Sequence, residues 1–170
     1  MCSCIFGRCH NLVQLSGGEV DVINQQTRPI EILLVEDNPT DVSIAKEALA
    51  DTKVSKHLHV VSDGAEALLF VRKQAQHAHA PSPDLILLDL NLPIKNGFDV
   101  LRELKGDDKL KLIPVVVLSS SKREEDIVRA YDSGANCYIT KPVDFEESCE
   151  LFPVIERFWS MIVTLPPRNR

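Results

Sequence analysis

Asp84-Leu85-Ile86-Leu87-Leu88-Asp89-Leu90-Asn91-Leu92-Pro93-Ile94-Lys95-Asn96-Gly97 is the stretch of this chain from which its fold can be read. Leu85 to Leu88 form an apolar run of strand length, suited to a strand covered on both faces, and Pro93 and Gly97 break the chain soon afterwards. Asp89 stands where that strand ends, and a carboxylate so placed serves either as a turn or cap residue or for chemistry. Two further runs end in the same way: Ile32-Leu33-Leu34-Val35 leads into Glu36-Asp37, and Val115-Val116-Val117-Leu118 into Ser119. Three strands therefore deliver polar groups to one edge, which in a parallel sheet is the carboxyl edge where open α/β sheets hold their ligands.

Outward from these runs, short β-branched apolar segments alternate with stretches of helical period, the pattern of βα units around a parallel sheet. Strands are expected at Glu31 to Val35, Leu58 to Val61, Asp84 to Leu88, Pro114 to Leu118 and Asn136 to Thr140. Helix starts are marked by a capping side chain with an acid three residues on, because the cap satisfies an orphan amide and the acid complements the helix dipole. Such pairs are Asn38 with Asp41, Asp63 with Glu66, Asn96 with Asp99, Ser121 with Glu124, and Asp144 with Glu147, and Pro39 suits a first helical position. The fold class is α/β, a (βα)5 chain with helices on both faces of the sheet.

His57-Leu58-His59-Val60-Val61 alternates only in part, as an edge strand does. The loop from Ala75 to Pro83 holds His77 and His79 without a carboxylate or cysteine set nearby, and reads as solvated. The last helix carries Leu151, Val154, Ile155, Phe158, Trp159 and Ile162 as a core-facing stripe, leaving Phe152, Met161, Val163 and Leu165 for a partner surface. Pro153 inside this pattern predicts a local break near Cys149.

The chain has 170 residues, enough for one domain with a full core, and a formal net charge of -6. No Lys/Arg block is present to neutralise phosphates, so a general nucleic-acid binder is not expected. No apolar run approaches the roughly 18 residues of a membrane span, and the expected compartment is the cytoplasm. Residues 1 to 28, which carry Gly17-Gly18 and Gln25-Gln26, read as a flexible extension, residues 29 to 165 as the folded domain, and 166 to 170 as a tail. Cys2, Cys4, Cys9 and His10 cluster near the start but lack the paired C-x2-C spacing of zinc modules. An odd number of cysteines with no convincing leader points to reduced thiols.

The polar groups at the strand ends suit one chemistry. A carboxylate becomes a phosphoryl acceptor when a divalent cation screens its charge and fixed donors hold the transferring oxygens. Glu36, Asp37 and Asp89 could form the oxygen-rich pocket that Mg²⁺ prefers. Lys141 supplies a point cation after the fifth strand and Ser119 a hydroxyl after the fourth. Each feature alone has a bland reading as a cap or turn; the combination is harder to obtain by chance.

Glu36-Asp37, Asp89, Ser119 and Lys141-Pro142, at the ends of strands one, three, four and five, resemble the receiver domain of two-component response regulators over about Ile30 to Leu165. The resemblance implies a flavodoxin-like receiver fold with a five-stranded parallel sheet in the order 2-1-3-4-5. It also implies that Asp89 takes a phosphoryl group from a phosphohistidine on a sensor histidine kinase. Asp37 would ligate Mg²⁺ directly, Glu36 through a bridging water, and Asn91 through its backbone carbonyl. Lys141 would pair with the phosphoryl oxygens, Ser119 would swing in to bond them, and Tyr138 would be the switch aromatic. The Lys141-Pro142 bond would be cis. Such a protein is a phosphoacceptor that contributes catalytic groups to its own phosphorylation and dephosphorylation, not an enzyme acting on a separate substrate. The acid pair is Glu-Asp where Asp-Asp is the familiar form, Leu92 replaces a common methionine, and Asn91 and Ser121 occupy positions that tune dephosphorylation.

Only Pro166-Pro167-Arg168-Asn169-Arg170 follows the last apolar stretch, so output is expected through the receiver's own surface. The block Asp89 to Pro93, the context of Tyr138 and the ending Phe158 to Pro166 look like the stand-alone regulators paired with phytochrome histidine kinases. That implies a light-sensing kinase as phosphodonor and a homodimer using the C-terminal half. Two rival readings belong to other classes. A haloacid dehalogenase-type phosphohydrolase shares an aspartate nucleophile, Mg²⁺, Ser/Thr and Lys, but wants a second Asp where this chain has Asn91. A flavodoxin wants a Ser/Thr/Gly phosphate loop where Glu36-Asp37-Asn38-Pro39 stands. A phosphate-independent docking module of the same fold is a further alternative.

Overall fold

The computed structural model describes residues 28–50 and 54–167. The elements in chain order are β1 (Ile30–Val35), α1 (Pro39–Ala50), β2 (Lys56–Val61), α2 (Gly64–Val71), β3 (Leu85–Asp89), α3 (Gly97–Gly106), β4 (Val115–Ser119), α4 (Glu124–Asp132), β5 (Cys137–Thr140) and α5 (Phe145–Arg157). All strand pairs are parallel and the sheet order is β2-β1-β3-β4-β5. This is the (βα)5 arrangement in the order 2-1-3-4-5, and each strand lies within two residues of its expected bounds.

The strands are apolar on both faces because each face is covered. Leu33, Val35, Ile86, Leu88, Val115 and Val117 face α2 and α3, together with Ala130 of α4. The alternate residues Ile32, Leu34, Leu85, Leu87, Val116 and Leu118 face α1 and α5, which close that side with Ile44, Ala45, Phe152 and Ile155. Each fully buried Leu, Ile or Val contributes about 1.5–3 kcal/mol relative to leaving it in water. β2 is an edge strand in which only Val61 is buried, which accounts for its partial alternation.

Three of the expected caps form by side-chain acceptance: Asp63 from the Glu66 amide, Asn96 from Asp99, and Asp144 from Glu146 and Glu147. Asn38 accepts from the Thr40 amide at 2.9 Å. Ser121 does not cap the fourth helix as expected. Its carbonyl is held by the Tyr138 hydroxyl at 2.9 Å, α4 starts only at Glu124, and the Ser121 hydroxyl donates to Asp126 Oδ2 at 2.6 Å.

The break expected near Cys149 is also absent. α5 runs unbroken through Pro153, which removes one helical donor without ending the helix while Phe152 and Ile155 stay buried. The irregularity lies further on, in a π-helical turn over Phe158–Ile162 where the Val163 amide bonds the Phe158 carbonyl. His77 is not simply solvated: it sits in a 3-10 turn, Ala75–His77, with Nε2 3.2 Å from Glu66 Oε1 and its ring against Phe70. The cysteine-rich start, and with it the question of a zinc site, lies outside the described residues.

Candidate phosphoryl-acceptor site

Strand ends and the loops that follow them bring the site together. Glu36 follows β1, Asp89 closes β3, Ser119 closes β4 and Lys141 follows β5; Glu36, Asp89 and Ser119 are buried, while Asp37 is exposed. Parallel register places these ends side by side, with Asp89 opposite Leu118 and Ser119 opposite Thr140. Gly97 lets the loop after β3 fold back over Asp89, because a Cβ there would lie 2.3 Å from the Asp89 carbonyl oxygen and 2.6 Å from the Leu90 Cα.

Lys141 is the hub. Its Nζ donates to Asp89 Oδ2 at 2.5 Å, to Glu36 Oε2 at 2.6 Å and to Asp41 Oδ2 at 2.8 Å. The remaining oxygens are also engaged: Asp89 Oδ1 accepts from the Asn91 amide at 2.8 Å and Glu36 Oε1 from the Asn38 amide at 3.2 Å. Burial alone would depress the Lys141 ammonium, but the carboxylates of Asp41, Asp89 and Glu36 outweigh it and hold it above its usual range. Burial pushes the Glu36 carboxyl up to about 7 although Lys141 pulls it down, and the neighbouring Asp89 charge adds to the rise. The lysine therefore stays charged across neutral pH, while burial works against the charge of Glu36.

Carboxylate oxygens of Glu36, Asp37 and Asp89 lie within 4.8 Å of one another. Lys141 bonds three carboxylates, Asp41, Glu36 and Asp89, and Asp37 adds a fourth beside the last two; an all-oxygen set with surplus negative charge suits a hard divalent cation. Asn91 contributes its amide to Asp89 in this arrangement.

Ser119 and Tyr138 form a second group, joined by Ser121. Ser119 Oγ accepts from the Ser121 amide at 3.2 Å, and the Tyr138 hydroxyl donates to the Ser121 carbonyl. The Lys141 amide donates to the Ser119 carbonyl at 2.8 Å, so the two groups share a main-chain link. The Lys141–Pro142 bond is trans, in contrast to the cis bond the resemblance implied, and trans is the lower-energy form for an unconstrained X-Pro bond.

Asp41 is the site residue that sequence reasoning missed. Paired with Asn38, it reads as a helix-start acid, and nothing local shows that it meets a lysine 100 residues away.

A family model described as the response regulator receiver domain matches residues 32–152. The chain belongs to this family. As a receiver, it is 41% identical over 143 residues to the response regulator Rcp1 of Synechocystis sp., covering 84% of this chain and 97% of that protein. The crystal structure of the Mn(2+)-bound form of Rcp1 superposes with a TM-score of 0.79 at 42% identity, covering 82% of this chain and all of that one. The phosphorylated cyanobacterial phytochrome response regulator RcpA gives a TM-score of 0.79 at 47% identity, covering 82% of this chain and 99% of that one. Receivers of this kind are signalling proteins, and the phosphohydrolase and flavodoxin readings are set aside. Among the described residues no helix is long and apolar enough to cross a membrane.

Proposed function

We propose that Asp89 is the phosphoryl acceptor of a phosphorylation-dependent switch, with a phosphohistidine of a sensor histidine kinase as donor. An Asp89 carboxylate oxygen attacks phosphorus as the phosphorus–nitrogen bond breaks, and the electron pair returns to the imidazole. The observation that carries this reading is the placement of Lys141 Nζ 2.5 Å from Asp89 Oδ2, beside the acidic group of Glu36 and Asp37. Lys141 is charged and positioned to pair with the phosphoryl oxygens once Asp89 is an acyl phosphate.

Mg²⁺ is the proposed cofactor, held by Glu36, Asp37, Asp89 and the Asn91 backbone carbonyl, and it would screen the charge of the carboxylates and of the incoming group. The Mn(2+)-bound state of the Rcp1 structure supports a divalent cation in such a pocket. Phosphorylation then biases Ser119, Tyr138 and α4 toward a second surface that changes partner affinity.

The donor proposed is a phytochrome-type light sensor, supported by the relationship to RcpA. Val154, Phe158 and Ile162, expected in the core-facing stripe, are exposed, whereas Phe152 and Leu165, expected on the partner surface, are buried. The exposed set Val154, Phe158, Met161 and Ile162 supports a homodimer through the C-terminal half. The receiver is assigned to residues 29–165, with extensions on either side, in the cytoplasm.

The test is incubation with Mg²⁺ and a small acyl-phosphate donor, measuring acid-stable, base-labile phosphate in wild type and Asp89→Asn. Incorporation only in wild type is expected. None in wild type, with a cognate kinase supplied and folding verified, would favour the docking-module alternative.

A further inference from the structure

The inference concerns Asp41 and rests on the cation site proposed above. Lys141 Nζ bonds two of the three carboxylates that would hold the cation, Glu36 and Asp89, while its third partner, Asp41, stands outside that group. An ammonium and a divalent cation drawn to the same oxygens repel one another. The ammonium therefore needs a second acceptor close at hand, or it stays on the metal ligands.

Asp41 meets that need. It lies in the first turn of α1, partly exposed, with Oδ2 2.8 Å from Nζ. The capping contact expected of an acid at this position is supplied elsewhere, because Asn38 accepts from Thr40 and Glu36 accepts from the Asn38 amide. Asp41 and Lys141 also line one cavity of about 280 Å³ with Ile44, Pro142, Val143 and Phe152. Lys141 and Asp41 thus border the same open space.

We propose that Asp41 is a positioning residue that draws the Lys141 ammonium away from Glu36 and Asp89, so that a divalent cation and the lysine can occupy the site together. The role is exerted through Lys141, not by contact with the cation. Among the described residues, removing the Asp41 charge leaves the ammonium with hydrogen-bond acceptors only on Glu36 and Asp89, and cation binding weakens.

The test is a double-mutant cycle on the unphosphorylated full chain, with Mn²⁺ as the probe and free Mn²⁺ read by electron paramagnetic resonance. Asp41→Asn is expected to weaken Mn²⁺ binding about threefold to tenfold, a coupling of the size found between contacting groups. In a Lys141→Met background the same substitution is expected to change binding less than twofold, because the group it acts through is gone. Asp41→Glu, which keeps the carboxylate, is expected to recover at least half of the loss. Equal losses with and without Lys141 would mean that Asp41 acts by its field alone and would overturn the proposal. So would an Asp41→Asn protein that is folded by circular dichroism and binds as wild type does. Failure of wild type itself to bind Mn²⁺ would remove the cation site and this inference with it, whereas normal wild-type binding with no effect of Asp41→Asn removes the inference alone.

Discussion

The Tyr138 hydroxyl donates to the carbonyl oxygen of Ser121 at 2.9 Å, tying the ring of β5 to the loop that leaves β4. Tyr138→Phe keeps the ring and removes the tie. A neutral hydrogen bond contributes about 0.5–1.5 kcal/mol net, so a loss of about 1 kcal/mol in urea unfolding is expected. Amide exchange in residues 120–123 should quicken, while α1 amides keep their protection. Unchanged exchange in that loop would show that the bond does not restrain it.

Lys141 neutralises carboxylates that cannot be well solvated. In Lys141→Met, Glu36 and Asp89 face one another without a cation, and breaking such a buried pair costs about 3–5 kcal/mol. Partial exposure of the lysine places the expected loss at the lower end. Mg²⁺ should then raise the melting temperature of the variant more than that of wild type, measured by differential scanning fluorimetry. Phosphorylation from a small donor should fall at least tenfold.

Gly97→Ala would drive a methyl group into the Asp89 carbonyl and the Leu90 backbone. Overpacking against main chain is expected to cost about 1–3 kcal/mol or more and to shift Asp89 relative to Lys141. Denaturant titration reads the first effect and phosphate incorporation per folded protein the second. Gly106→Ala, where nothing lies within 4 Å of the added carbon, is the matched control: it should leave phosphate incorporation unchanged and stability unchanged or raised by up to about 1 kcal/mol.

Lys105 offers a pH test away from the site. Burial pushes its ammonium down to about 8, although Nζ donates to the carbonyls of Lys111 and Ile113 and to Asn136 Oδ1. Between pH 8 and the ordinary value of 10.5, the unfolded chain holds a proton that the folded chain has released. Stability from this group therefore rises with pH across that window. The Cys137 thiol, raised by burial above 9.0, acts in the opposite sense because the unfolded thiol ionises first. Comparing wild type with Lys105→Met cancels the cysteine, and the difference in unfolding midpoint should move in favour of wild type from pH 8 to 10.

Ile162, 71% exposed in the π-helical turn, tests the dimer. Ile162→Asp should abolish self-association in sedimentation velocity while leaving phosphate incorporation within twofold of wild type. A wild type that is monomeric with and without a phosphoryl mimic would end the dimer reading.

Much of this was legible in the sequence, because the signals are local. Buried strands announce themselves by apolar runs, and Asp63, Asn96 and Asp144 cap helices whose amides lie two or three residues away. The alignment of Glu36, Asp89, Ser119 and Lys141 followed once the sheet was taken as parallel. The misses involve partners distant in the chain or several choices at one residue. Ser121 reads as a cap, but β5 claims its carbonyl and Asp126 its hydroxyl. Pro153 reads as a breaker, yet the apolar contacts on either side carry the helix through. Asp41 was absorbed by its local reading and its lysine went unseen.

The main-chain bond from the Lys141 amide to the Ser119 carbonyl limits how a signal can start. While that bond holds, Lys141 and Ser119 are coupled at the backbone, and neither strand end slides past the other. Under the proposed switch, the first event after phosphorylation is expected to be a rotation about side-chain bonds, faster than any displacement of α4. A relaxation experiment should resolve two separate processes in which the faster one leaves the β4–β5 carbonyl geometry untouched.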